Sequence, residues 1–301
     1  MDITKNIYSI FNIKNAEFFN INIAEDTAKF IQPYTVENTN SEIARKCNAT
    51  AVDFFNTVHN YLLKKDYNTA NTIFSSHLKE PKENCLGYSG NNTTGKGLRD
   101  IAHYAMQQIL DQPHLINEIK QIADLQLYVK NIMHDRISDL YTNVVRNELN
   151  NYTLEQCRKY NMMHFVKEVN FGSYWDAVQH MWTENAIKQM LVINEKPILL
   201  VPKNFLVGSY GPNTMYRNVF LVKLINEDLL KNESSLIKRR KNGETYISKK
   251  DKHKQLKMSN FKVSKEIMIK FAKENPNCTQ KLRQVLEETR QKRLQNKINR
   301  R

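Results

Sequence analysis

Residues 131–150 hold the densest set of side chains able to do chemistry: Asp135, Asp139 and Asn143 recur every four residues, with His134 and Arg136 at the head. On a helix that spacing lines up two carboxylates and an amide in one polar row. Paired carboxylates are hard oxygen donors for Mg²⁺ or Mn²⁺, and the same groups can orient a water for attack on a phosphodiester. The expectation is a metal site on Asp135 and Asp139, both taking part in catalysis, with Arg136 against phosphate. A purely structural part is open to the same row, because Asp135 can cap a helix beginning at Arg136 and Asp139 suits the dipole of its first turn.

The element that must carry this row is legible beside it. Ile137, Leu140, Tyr141, Val144, Val145 and Leu149 fall at helical spacing and predict a buried stripe. Further on, Met190-Leu191-Val192-Ile193 and Ile198-Leu199-Leu200-Val201, with a turn over 194–197, predict a central β-hairpin covered on both faces. Lys203 leaves the end of that hairpin, where a lysine can stabilise an attacking hydroxide or the pentacovalent charge. Carboxylates, a hairpin and a strand-end lysine resemble the PD-(D/E)xK nucleases in their ingredients, and the resemblance implies metal-dependent phosphodiester cleavage. The motif departs at Val201-Pro202-Lys203, which has no acidic residue two before the lysine, so Asp135, Asp139 or Glu195 would have to supply the carboxylates. Arg158 and His164 have a spacing similar to that of helical HEPN ribonucleases, one loose pair in a basic chain.

Four of the chain's eight glycines lie between Gly87 and Gly97, just ahead of a helix over 98–110. Gly90-x-x-x-x-Gly95-Lys96-Gly97 approaches the phosphate-loop pattern, but Gly97 stands where a hydroxyl should hold magnesium. A nucleotide-hydrolysing loop is rejected on that ground. What is kept is a loop in which Lys96 meets a phosphate, with a plain surface loop as the alternative.

Charge narrows the substrate class. Residues 231–301 carry 22 Lys and Arg against 7 Asp and Glu, whereas residues 1–230 carry 23 against 24. The whole formal charge of +14 therefore sits in the last quarter of the chain, as expected of a region that meets nucleic acid. Lys238, Arg239, Arg240, Lys241, Lys249 and Lys250 are the expected backbone-phosphate contacts. The two predicted units are a near-neutral α+β core over 1–231 and a basic helical region over 232–301.

The remaining elements complete an α+β fold, predominantly helical. Alternation of Ile7, Ile10, Phe19, Ile21, Phe30 and Ile31 predicts an N-terminal antiparallel strand pair ending at Pro33. Helices are expected from Ser41 to about 63, at 67–78, 264–274 and 278–299. Trp175 and Trp182 are read as core. The four cysteines form no metal or disulfide spacing, there is no apolar run of membrane-spanning length, and Met1 to Lys5 do not begin a secretory signal, so a cytoplasmic protein without membrane contact is expected. The function expected first is a metal-dependent nuclease acting on DNA or RNA, of the kind found in phage or bacterial defence. The alternatives are a non-enzymatic nucleic-acid-binding adaptor, and an inhibitor or assembly subunit that sets its basic tail on a protein partner.

Overall fold

The computed structural model describes residues 6–88, 97–208, 220–255 and 264–298. Its spine is a pair of consecutive helices, His134–Val144 and Arg146–Lys159, buried along much of their length. The apolar stripe read from the sequence packs inward as Ile137, Leu140, Tyr141, Val144, Val145 and Leu149. The long helix Glu42–Leu63 lies against it, opened by Ser41, whose Oγ accepts the Ala44 N–H. Tyr67–Ser75 follows as the second arm of a helical hairpin, capped in the same way by Asp66.

The principal sheet is antiparallel, in the order β2 (Val166–Asp176), β3 (Met181–Ile193), β4 (Lys196–Ile198). Asn194 and Glu195 both take positive φ, 48° and 64°, which lets a two-residue turn join β3 to β4 with the strands' own twist. The central hairpin is thus present, and Leu191, Ile198, Leu199 and Leu200 are buried as its unbroken apolar runs require. The longer hairpin that precedes it, β2 with β3, is not apparent from alternation. Its Trp175 and Trp182 stand directly opposite one another, both in the core, with their rings 5.7 Å apart and edge to face. Asp53 of the long helix pins this hairpin, accepting Trp175 Nε1 at 2.7 Å and meeting His180 Nδ1 at 2.6 Å.

Two expectations need correction. The N-terminal strands do not pair with each other: Ile7–Ile10 is a helical turn capped by Asn6, and the one strand among the region's described residues, β1 (Lys29–Ile31), pairs antiparallel with β5 (Leu206–Gly208). Local side-chain bonds decide this, because Asn6 Oδ1 takes the Ser9 N–H and Asn20 Oδ1 takes the Tyr8 N–H, which turns the chain before a ladder can form. Asp135 is not an N-cap either. The helix begins two residues earlier, at His134, with Met133 at the cap and no side chain closing it.

The charge boundary near residue 231 is not a boundary of packing. Helices Lys265–Glu274 and Cys278–Ile298 bury Met268, Phe271, Leu282 and Leu286 in the same core as the spine. Glu118 accepts the Asn277 and Thr279 N–H groups and so caps the last helix from across the fold. Arg283 reaches the fully buried Asp124 at 2.7 Å and Glu37 at 3.3 Å. Arg283→Ala would leave Asp124 buried without its cation, and urea unfolding is expected to show a loss of about 2 to 3 kcal/mol. A change under about 0.5 kcal/mol would mean the docked helix contributes nothing through this pair. Among the described residues no helix is long and apolar enough to cross a membrane.

Candidate active site

The polar row anticipated on 135–143 continues along both spine helices, and most of it ties neighbouring segments to the core. Ser138 Oγ accepts the Ile31 N–H of β1, and Thr142 Oγ1 accepts from the buried Asn84 amide. Asn143 holds residue 79 from both sides, its Nδ2 donating to the Lys79 carbonyl and its Oδ1 accepting the Lys79 N–H. Arg146 donates to the Phe171 carbonyl and to Glu83, Asn150 donates to the Gln189 carbonyl, and Thr153 Oγ1 accepts the Leu200 N–H. Buried polar side chains this well used are a scaffold.

Only the head of the row opens toward solvent, and there the carboxylates gather. Asn143's grip on residue 79 brings Glu80 against Arg136 and Asp139. Arg136 Nη1 lies 2.6 Å from Glu80 Oε1 and 3.7 Å from Asp139 Oδ2. Asp139 is 7% exposed. Burial, then the charges of Asp135 and Glu80, push its carboxyl up to about 8, while Arg136 opposes them and a hydrogen bond with Glu80 favours the protonated form. Asp135 is raised by burial and by Glu80, against Arg136. Asp26 is raised in turn by burial and by Asp135, with Lys82 and Lys196 opposing. Gly87, at φ +131°, brings its backbone so close that a Cβ would stand 3.6 Å from Asp135 Oδ1.

Beside this acidic patch lies a cationic one. Lys79 Nζ is 3.9 Å from Glu83 Oε1, and its ammonium is shifted down by burial and by Arg146. Gly172, at φ +76° in a bulge of β2, makes room for both cations, since a Cβ there would lie 3.4 Å from Lys79 Nζ and 3.9 Å from Arg146 Nη1.

Of the residues anticipated for chemistry, the structure brings Asp135, Arg136 and Asp139 together and adds Glu80, while the Lys79 ammonium stands with Glu83 and Arg146. Lys203 has other company: its Nζ donates to Asn15 Oδ1 at 2.9 Å and lies 5.4 Å from the Tyr8 ring centroid, and it shares no described contact with the carboxylates. Lys96 and Gly95 lie outside the described residues. The stretch Lys79-Glu80-Pro81-Lys82-Glu83 is conspicuously charged, yet nothing in its spacing links it to a helix 56 positions away. Among the described residues no group of three or more His, Cys, Asp or Glu side chains is arranged to hold a metal ion. The oxygen donors suit Mg²⁺ or Mn²⁺ chemically, and the proton and guanidinium now shared by Glu80 and Asp139 are what a divalent cation would displace.

The basic cluster forms a second surface. Lys238–Arg239 (β6) and Thr245–Tyr246 (β7) pair as a two-stranded ribbon whose tip carries Arg240 and Lys241, all four basic residues exposed. Lys238 meets Asp251 at 2.7 Å, Arg240 meets Glu244 at 3.0 Å, and the Arg240 guanidinium lies 5.2 Å from the Tyr246 ring centroid. Lys249 and Lys250 open the helix Lys249–Gln255 immediately after it.

Residues 10–210 match a protein family described as Domain of unknown function (DUF8370). The chain belongs to this family. The DUF8370 match takes in the whole carboxylate patch, Lys79, Lys203 and the β2–β4 sheet, and it ends before the basic ribbon and the two C-terminal helices. No curated protein and no solved structure matches the chain significantly.

Proposed function

We propose that this DUF8370 protein hydrolyses nucleic-acid phosphodiesters with the help of a divalent cation. The observation that carries the reading is the convergence of Glu80, Asp135 and Asp139 about a single arginine, so crowded that Asp139 keeps its proton near neutral pH. Carboxyls crowded in this way are relieved by a cation that takes the place of the Asp139 proton, and Asp139 with Asp135 and Glu80 would hold Mg²⁺ or Mn²⁺ through hard oxygens. Bound there, the ion would lower the pKa of its water and polarise a phosphoryl oxygen. Arg136, 2.6 Å from Glu80 and 3.7 Å from Asp139, takes the place of Lys203 as the cation next to the reacting phosphate. The ribbon at 238–246 would hold the backbone of the nucleic acid without reading its sequence.

The test is cleavage of plasmid, single-stranded DNA and RNA with Mg²⁺ or Mn²⁺, beside an EDTA control and Glu80→Gln. Cutting that needs the metal and is lost in Glu80→Gln supports the reading. A specific observation favours a second one, a binding adaptor: most of the polar row ties loops down, and Arg136 already occupies two of the carboxylates. No cutting by a chain that still binds nucleic acid would select the adaptor.

Both readings share an expected result at the ribbon. Lys238, Arg239, Arg240 and Lys241 changed together to Gln should weaken binding at least about tenfold at physiological salt and flatten its salt dependence by roughly one slope unit per lost phosphate contact. The present partners Asp251 and Glu244 offer little competition, because exposed ion pairs are weak and screened by salt. Fluorescence polarisation at several salt concentrations measures this directly. An unchanged slope would take the ribbon out of the interface.

A further inference from the structure

Next to the carboxylate patch stands an aromatic side chain that the fold leaves open and yet holds still. Tyr88 is 53% exposed. Its hydroxyl lies 2.8 Å from His134 Nε2, and its ring centroid is 4.9 Å from that of the buried Phe30, which itself meets the His134 ring at 4.5 Å. The backbone leading to it is zipped to the chain before β1, with Thr27 N–H on the Cys85 carbonyl and Gly87 N–H on the Thr27 carbonyl. Two rigid attachments thus fix the ring one residue from Gly87, the glycine that abuts Asp135. An exposed tyrosine with no other duty is free to turn; this one has been given an orientation.

We infer that Tyr88 is a stacking platform for a nucleobase, and that the nucleic acid recognised at the carboxylates is single-stranded or carries an unpaired nucleotide. The inference rests on the nucleic-acid reading of the patch and specifies its substrate. A base inside a duplex is covered on both faces by its neighbours and cannot lie on a protein ring, whereas an unpaired base can, whatever its identity. His134, the partner of its hydroxyl, is the residue before Asp135, and Gly87 beside it abuts Asp135, so a base lying on Tyr88 would carry its phosphate toward Asp135 and Arg136. Pre-orientation by His134 and Phe30 removes the entropy that a mobile tyrosine would lose on stacking. Recognition of this kind prefers strands by their flexibility and not by their sequence, in keeping with a ribbon that contacts phosphate alone.

The experiment uses the full chain with Ca²⁺ in place of Mg²⁺, so that the hard oxygen donors can be filled, with a gel showing that the probes stay uncut. Fluorescein-labelled 20-nucleotide oligo(dT) and a labelled 20-base-pair duplex are titrated against the wild type, Tyr88→Ala and Tyr88→Phe, with far-ultraviolet circular dichroism confirming that each variant is folded. Tyr88→Ala is expected to weaken oligo(dT) binding about 10- to 100-fold and to leave the duplex within about twofold, while Tyr88→Phe, which keeps the ring, stays close to the wild type on both. Equal losses on strand and duplex, or no loss on the strand, would overturn the platform and leave the phosphodiesterase reading standing. Equal losses for Tyr88→Phe and Tyr88→Ala would assign the effect to the hydroxyl bond with His134 and overturn it too. A wild type that binds neither probe would instead bring down the nucleic-acid reading on which it rests.

Discussion

Asp139→Asn is expected to abolish cleavage, by about a hundredfold or more, while making the protein more stable at alkaline pH. The two effects share one cause. Asp139 sits buried among Asp135 and Glu80, and its carboxyl titrates at about 8 in the fold against 3.8 for an unperturbed aspartate. The folded chain therefore keeps a proton that the unfolded chain releases. The stability this proton confers is whole below about pH 4 and is lost as pH climbs toward 8, where the native state must hold the charge. Asparagine has no charge to hold, so the variant and the wild type should melt together near pH 4 and diverge above it, the variant rising by several °C by pH 8. Comparing the two proteins cancels the titration of groups remote from Asp139 and leaves that of Asp139 with its neighbours Asp135 and Glu80. Mg²⁺ adds a further readout: at pH 8 it should raise the melting temperature of the wild type and not of the variant, because the cation takes the place of the proton. Parallel melting curves from pH 4 to 8 would remove the crowded-charge argument, and with it the main support for a catalytic carboxylate here.

The second large effect is structural. Arg146 is 2% exposed, lies 4.1 Å from the Phe171 ring centroid, and donates to the Phe171 carbonyl and to Glu83. It joins the spine to the β2 bulge and to the turn over Lys82–Asn84 in a single side chain. Arg146→Ala would leave the buried Glu83 with only the half-exposed Lys79, 3.9 Å away, and open a cavity under Phe171, and the loss is expected at about 3 to 5 kcal/mol by urea denaturation. Pairing Arg146→Met with Glu83→Gln removes both charges and restores volume, so the double variant should recover a large part of that loss. If it is no more stable than Arg146→Ala, the cost lies in the lost packing and not in the stranded carboxylate.

Much of the helical framework was legible because its signals are local. Ser41 and Ser264 cap the helices they precede, and the stripe from Ile137 to Leu149 has only one periodicity to offer. The β3–β4 hairpin announced itself through two apolar runs about a turn. The β2–β3 hairpin did not, since Gly172 breaks the alternation with a bulge and the exposed side chains of β3 include the apolar Met181 and Ile187. β1 misled for a different reason: its pattern called for a partner, and the partner lies at Leu206–Gly208, beyond any local window.

The candidate site divides in the same way. Spacing on one helix is enough to place Asp135, Arg136 and Asp139 on a common face, because rise and pitch are properties of the helix alone. The clustering of basic charge at 238–241 and 249–250 is likewise a matter of composition. Which side chains stand beside these carboxylates was decided only by the fold. Lys203 had the better sequence argument, at the end of a buried strand, yet its ammonium goes to Asn15, while Glu80 is drawn in because Asn143 seizes the backbone at residue 79. A two-sided amide clamp across 64 residues leaves no periodic trace in the chain, since its cost and its reward are both paid in tertiary contacts.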